Sequence, residues 1–256
     1  MNQLHIITVA TESKYYFPYL VESCKKNNIK LTVLGFGEKW GGFTWRFKLM
    51  REHLLTLPLD DIVCFVDGYD VICTRNLIDM IPIFNELNLK NNSKIIVGYD
   101  NVKNPIINYL SRAFFKNIIN AGTYIGVNKD ILEMLNLILL KNPDNLLDDQ
   151  VLLNKYYNLN KNNIYIDVNG ILFSTIISGL PLQNIEKYYT INNNNITIKN
   201  TNITPFFIHA ANVNYMSSIL TKLNYNANPL IDVNLKKDYL NRLIRVIQNL
   251  LFNLFK

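Results

Sequence analysis

Apolar positions in the first hundred residues alternate between two rhythms. Short, mostly apolar runs at Leu4–Ala10, Lys30–Leu34, Ile62–Val66 and Lys94–Gly98 read as strands. Between them, Tyr15–Lys26, Trp45–Leu57 and Asn76–Leu87 carry apolar residues at helical spacing. Strand and helix in strict alternation predict an α/β domain whose sheet is mostly parallel and flanked by helices on both faces.

The rhythm then loosens. Thr123–Val127 reads as a strand, Lys129–Leu140 and Asp148–Tyr157 as helices. Ile164–Ile166, Ile171–Phe173, Ile196–Ile198 and Phe206–Ile208 are short strand candidates between Asn-rich loops. No linker or repeat divides residues 1–256, so the chain reads as a single domain. In the last segment, 236–256, Leu240, Leu243, Ile244, Ile247, Leu250, Leu251 and Leu254 recur at helical spacing, with Lys236, Lys237, Arg242 and Arg245 mostly off that stripe. Such an amphipathic helix can dock on its own domain, make a homodimer contact or lie on a membrane surface.

Charge narrows the field only a little. A net charge of +6 and a pI near 9.0 suit a phosphate-bearing substrate, an acidic protein surface or nucleic acid. The Lys and Arg residues are scattered and no nucleic-acid-binding motif is present, so nucleic acid is not expected as a partner. Cys24, Cys64 and Cys73 have apolar neighbours and no metal-type spacing, and read as buried free thiols. Leu4–Ala10 is too short and lacks the basic flank of a signal peptide. No apolar run is long enough to span a bilayer, so the chain reads as soluble with no compartment assigned. Asn occurs 39 times, which makes the sequons at Asn91, Asn195 and Asn202 uninformative.

Candidate chemistry centres on Phe65-Val66-Asp67-Gly68-Tyr69-Asp70. Two carboxylates meet where an apolar strand runs into a turn, and ligands in open α/β sheets bind beyond the carboxyl ends of strands. Carboxylates shared with substrate phosphates are what a hard divalent cation requires. Gly68 is expected to loosen the backbone so that both can face one point. A solvated turn with Asp70 as a helix cap is the plainer alternative. His209 ends an apolar run, as a metal ligand or as a structural histidine. Asp148-Asp149-Gln150 opens a helix, either as a favourable acidic first turn or as carboxylates facing a sugar. Asn120-Ala121-Gly122 precedes a strand and can let a ligand approach closely. Trp40-Gly41-Gly42 sets an aromatic and a flexible turn before a helix. Arg46 and Lys48, early in that helix, can meet a diphosphate or form a solvated basic face.

Taken in order, Thr8-Val9-Ala10-Thr11, Val33-Leu34-Gly35-Phe36-Gly37-Glu38-Lys39-Trp40 and Phe65-Val66-Asp67-Gly68-Tyr69-Asp70-Val71 resemble the glycosyltransferase domain of the multifunctional procollagen lysyl hydroxylases, which glycosylates collagen hydroxylysine. The likeness continues through Asn120-Ala121-Gly122, Tyr124-Ile125-Gly126 and Asp148-Asp149-Gln150 and closes at Phe207-Ile208-His209, covering roughly residues 4 to 225. It implies a GT-A type nucleotide-sugar-binding fold, a UDP-sugar donor and Mn²⁺. It maps Asp67, Asp70 and His209 onto a metal triad. Val9, Ala10 and Thr11 fall on the uridine-binding end of the first strand, and Arg46, with Lys48 second, on the diphosphate contact. Trp40, Gly68 and Asn212 join the donor-binding set. Asp148 and Asp149 fall on an acidic pair near the transferred sugar, with Asn120 a neighbouring polar contact.

The resemblance further implies retaining transfer of glucose from UDP-glucose to galactosylhydroxylysine in a collagen-like protein. The alternatives are galactosyl or glucosyl transfer straight to hydroxylysine, or a catalytically weak UDP-sugar-binding protein. Two stretches depart from the family pattern. Ala210-Ala211-Asn212-Val213-Asn214 replaces a Gly-Asn-Gly type loop and its lysine, and Tyr99–Pro105 replaces an aromatic-rich loop. A hydroxylase domain is not expected within these 256 residues.

Overall fold

A computed structural model describes residues 2–99, 119–141, 149–176, 188–192, 195–211 and 216–232. The elements run β1 (Leu4–Val9), α1 (Phe17–Lys26), β2 (Leu31–Leu34), α2 (Phe43–Leu54), β3 (Ile62–Val66), β4 (Val71–Cys73), α3 (Met80–Asn91), β5 (Ile95–Tyr99), β6 (Ile119–Val127), α4 (Asn128–Lys141), α5 (Asp149–Leu159), β7 (Ile164–Asp167), β8 (Phe173–Thr175), β9 (Tyr189–Asn192), β10 (Asn195–Ile198), β11 (Phe207–His209) and α6 (Met216–Lys222). The helix expected over 236–256 lies outside the described residues.

Six strands form the main sheet in the order β2-β1-β3-β6-β5-β7. β1 is parallel to β2 and β3, and β5 to β7; β6 alone runs antiparallel, between β3 and β5. Successive side chains of a strand point to opposite faces, and here both faces are covered. Ile7, Val63, Phe65 and Val97 pack with Phe47, Met50 and Leu54 of α2 and Ile131 and Leu135 of α4. Ile6, Ile62, Cys64 and Ile96 pack on the other side with Leu20 and Cys24 of α1 and Phe84 of α3. Burial on both faces is why β3 reads Ile-Val-Cys-Phe-Val without a polar residue.

A three-stranded sheet, β4-β11-β8, and the β9–β10 hairpin form a second layer around Ile72, Ile208, Ile196 and Met216. β4 is too short to show a period in the sequence; it exists because it pairs with β11. β6 starts four residues earlier than the Thr123 its apolar run suggests, and β11 and β8 lie one and two residues later than expected. The helix expected from Asn76 begins only at Met80. The Asn76 side chain instead accepts from Ile78 N–H at 3.3 Å, an alternative to helical bonding. The three cysteines are buried free thiols, as expected. Among the described residues, no helix is long and apolar enough to cross a membrane.

One buried amide ties α2 to α4. Asn128 is fully buried, and its Nδ2 donates to Leu54 O and Pro58 O at 3.0 Å and Leu57 O at 3.2 Å. Asn128→Ala strips those carbonyls of their donor. It should lower unfolding free energy by about 1–3 kcal/mol, read as an earlier urea midpoint with an unchanged slope.

Candidate active site

β3 delivers Asp67 at its carboxyl end, and pairing with β6 runs one step further there, with Asp67 N–H donating to Gly122 O at 2.8 Å. Gly68 and Tyr69 then carry the chain out of the main sheet, and Asp70 precedes β4. β4 lies antiparallel to β11 with Val71 opposite His209, and Ala210 N–H donates to Asp70 O at 2.8 Å. Strand register thus sets Asp70 beside His209, although 139 positions separate them. Asp67, Asp70 and His209 each offer a ligand atom, all within 4.8 Å of one another. His209 Nε2 stands 3.1 Å from Asp70 Oδ1 and 3.7 Å from Asp67 Oδ2.

Two glycines make this approach feasible. Gly68 does not adopt positive φ, so the expected loosening of the backbone is not its role. A Cβ there would lie 2.9 Å from Val9 O and 3.2 Å from Ala10 Cβ, so glycine lets the turn sit against the end of β1. At Gly122 a Cβ would come 2.2 Å from His209 Cε1 and 2.6 Å from Asp67 Oδ2, inside the triad itself. A register shift in the β5–β6 ladder produces this contact. Val97 pairs with Tyr124 but Gly98 pairs with Asn120, which frees Ala121–Thr123 to bend toward β3. Bulges of this kind re-aim residues beside functional sites.

Arg46, 5% exposed, lies behind the triad. Its Nη1 donates to Asp67 Oδ1 at 2.8 Å and its Nη2 to Asp149 Oδ2. Its terminal nitrogens therefore serve two carboxylates, where the sequence had suggested a diphosphate contact. Burial works to lower the Arg46 pKa, but Asp149 and Asp67 outweigh it and hold the guanidinium above its ordinary value. Lys48 is exposed, as expected two residues further on a helix, roughly 200° around the axis. Asp149 opens α5. The next residue, Gln150, substitutes for a neighbouring strand: its Oε1 accepts from Ala121 N–H at 2.9 Å and its Nε2 donates to Ile119 O. Asn120 is buried, and its Oδ1 faces His209 Nδ1 at 2.7 Å and Gly122 N at 2.9 Å.

The remaining expected residues occupy the same edge of the sheet. Val9 and Ala10 are buried at the end of β1, and Thr11 is half-buried. Tyr69 braces this end: its Oη accepts from Thr11 N–H at 2.9 Å and Glu12 N–H at 3.3 Å. The loop carrying Trp40 is tied in where Gly37 N–H donates to Thr11 O at 2.9 Å. Trp40 is 43% exposed, with edge contacts to Phe43 and Trp45. Asp148 and Asn212 lie outside the described residues. Gln150 and Tyr69 were not singled out from the sequence as site residues, and Gly122 was expected only to let a ligand approach closely. Each sits inside a motif that was, and each acts through packing or hydrogen bonds to distant backbone.

The donor set fits a divalent cation. Two carboxylate oxygens and an imidazole nitrogen suit a hard-to-borderline ion with room for further oxygen ligands, and the space beside Gly122 would be lost to any Cβ. Packing pushes the Asp67 carboxyl up to about 6; the Asp70 and Asp149 charges add to this, and Arg46 and His209 oppose it.

A six-stranded sheet with one antiparallel strand and helices on both faces is a GT-A type fold, and an Asp-Asp-His cluster stands at its strand ends. The solved structure of a glycosyltransferase involved in the glycosylation of the major capsid of PBCV-1 shares this fold. It superposes with a TM-score of 0.52 at 11% identity, over 92% of this chain and 99% of that one. The family model described as PLOD GT domain matches residues 1–236, and the chain belongs to that family. It is similar to a multifunctional procollagen lysine hydroxylase and glycosyltransferase of Caenorhabditis elegans, 28% identical over 181 residues, or 65% of this chain. It is also similar to a procollagen-lysine,2-oxoglutarate 5-dioxygenase of Drosophila melanogaster, 31% identical over 100 residues, or 35% of this chain. These matches span 23% and 14% of the length of the two relatives.

Two outcomes follow from the geometry. Gly122→Ala should abolish Mn²⁺ binding, measured by electron paramagnetic resonance, while far-ultraviolet circular dichroism stays unchanged; full affinity would contradict the site. A ligating carboxylate must be deprotonated. With the Asp67 pKa raised to about 6, Mn²⁺ affinity should fall as pH drops through that value and level off above it, as calorimetric titration would show.

Proposed function

We propose that the chain is a retaining, metal-dependent transferase that moves glucose from UDP-glucose to galactosylhydroxylysine in collagen-like protein. The observation that carries this is the Asp67–Asp70–His209 cluster at the strand ends, in a chain whose family match runs from residue 1 to 236. The names of the worm and fly relatives support a collagen-type acceptor.

Asp67, Asp70 and His209 hold the divalent ion, with Mn²⁺ the first choice. Bound there, the ion supplies Lewis-acid stabilisation of the negative charge that develops on departing UDP. Val9, Ala10 and Thr11, with Gly68 packed against them, seat the uridine at the end of β1, and the exposed face of Trp40 covers it. Arg46 keeps Asp67 ionised and aimed by taking one of its oxygens, which leaves Oδ2 toward the cluster. Through the same guanidinium it sets Asp149 at a fixed separation from Asp67. Asp149, with Asp148 beside it, orients the hydroxyls of the transferred sugar and offsets positive charge at its anomeric carbon. Lys48 and Asn212 are further candidates for the diphosphate.

A second reading rests on Ala210-Ala211-Asn212, which replaces the loop that members of the family carry after the histidine. A chain lacking those contacts would bind UDP-sugar with little turnover. Transfer straight to hydroxylysine is the alternative acceptor.

The test is UDP release from a panel of UDP-sugars, with Mn²⁺ or EDTA, using collagen peptide with and without prior galactosylation. Release that needs UDP-glucose, Mn²⁺ and the galactosylated peptide is expected. Release with unmodified hydroxylysine peptide moves the assignment to direct transfer, and donor binding without release moves it to the binding protein. Asp67→Ala should lower the metal-dependent rate by about a hundredfold or more, since the ion is worth several kcal/mol to the transition state. Normal turnover in that variant would sink the scheme.

A further inference from the structure

Two nitrogens converge on one oxygen of a residue that is only 4% exposed. Asn120 Oδ1 lies 2.9 Å from Gly122 N and 2.7 Å from His209 Nδ1. A backbone N–H can only donate, so the Asn120 atom that faces it is the carbonyl oxygen. Turning the amide over would set N–H against N–H. With an acceptor opposite Nδ1, the ring proton of His209 belongs on Nδ1. Nε2 faces carboxylate oxygens, Asp70 Oδ1 and Asp67 Oδ2; a cation held among these atoms takes the place of a proton there, and the ring that ligates it keeps its proton on Nδ1.

Asn120 cannot readily turn away. The backbone on either side of it is held by Gln150, which bonds Ile119 O and Ala121 N. Asn120 itself pairs with Gly98 at the register shift that brings Gly122 under the triad. The same bulge therefore shapes the space between His209 and Asp67 and supplies the group that orients the His209 ring.

We propose that Asn120 is a positioning residue that fixes His209 in the Nδ1–H tautomer, so that Nε2 is ready to ligate a cation. This rests on the metal-site reading above and gives Asn120 a task distinct from contact with sugar. A partner on the far nitrogen of a ligating histidine sets both ring orientation and tautomer, and losing it costs roughly 10- to 100-fold in metal affinity.

The chain has three histidines, so a proton–nitrogen correlation spectrum of its imidazole rings is readily assigned, with His209→Gln removing one set of signals. The spectrum is taken on metal-free protein at about pH 8, and the readout is whether Nδ1 carries a proton, whatever the state of Nε2. Wild type and Asn120→Asp, which keeps the acceptor, should both show His209 protonated at Nδ1 and should both bind Mn²⁺. Asn120→Leu should lose that preference and bind Mn²⁺ about 10- to 100-fold more weakly. A metal-free wild type with Nδ1 unprotonated overturns the proposal and requires no variant to fold. Unchanged tautomer and unchanged Mn²⁺ affinity in Asn120→Leu also overturn it. Failure of the underlying reading looks different: the ring would be protonated at Nδ1, yet wild type would bind no divalent cation, and both readings would fall together.

Discussion

The site depends on one close approach, the passage of the β6 backbone at Gly122 between Asp67 and His209. Asp67 N–H bonds Gly122 O at 2.8 Å, so the strand carrying the first carboxylate and the strand beneath the histidine are locked together. Any Cβ at Gly122 would stand 2.2 Å from the imidazole, well inside van der Waals contact. Protein interiors leave little slack to absorb such an overlap. The bulge that brings this backbone forward, the absent side chain and the pairing of β4 with β11 act as one device. Removing any part of it separates the ligands.

Charge balance is the second constraint. Asp67, Asp70 and Asp149 repel one another at close range, and burial favours the protonated form of Asp67. Arg46 answers this from behind, one nitrogen on Asp67 and another on Asp149. It rests among Phe43, Phe47 and Phe65, 5.0 to 5.6 Å from their ring centroids. A buried cation in such company is costly unless its hydrogen bonds are met, and here carboxylates take both terminal nitrogens, while Nε is left without a partner. In the proposed mechanism, Arg46 thus joins the metal side of the site to the sugar side without touching the donor.

Much of this was legible along the chain. The short apolar runs marked β1, β2, β3 and β5 within a residue or so, since strands of a sheet covered on both faces are largely apolar, with His5 and Thr8 in β1 and Thr32 in β2 the exceptions. Asp67 and Asp70 stood out because two carboxylates bracketed a glycine at the end of such a run. His209 stood out only in combination with them. The antiparallel direction of β6 was hidden, because strand direction leaves no trace in apolar periodicity. β4, three residues long, was hidden for a similar reason: its existence is a property of its partner.

The sequence by itself determined which residue types were available to the site, the family to which they belong and the fold that carries them. Local periodicity, turn chemistry and motif spacing are written into neighbouring residues. Tertiary structure alone decided what each polar group faces. It turned Arg46 onto two carboxylates, set Asn120 against His209, made Gln150 a substitute strand and gave Gly68 and Gly122 their reasons for being glycine. Each of those contacts joins residues from 21 to 103 positions apart. Pairing at that range is settled by strand register and by the need to bond every buried polar group, and neither can be read from a stretch of sequence alone.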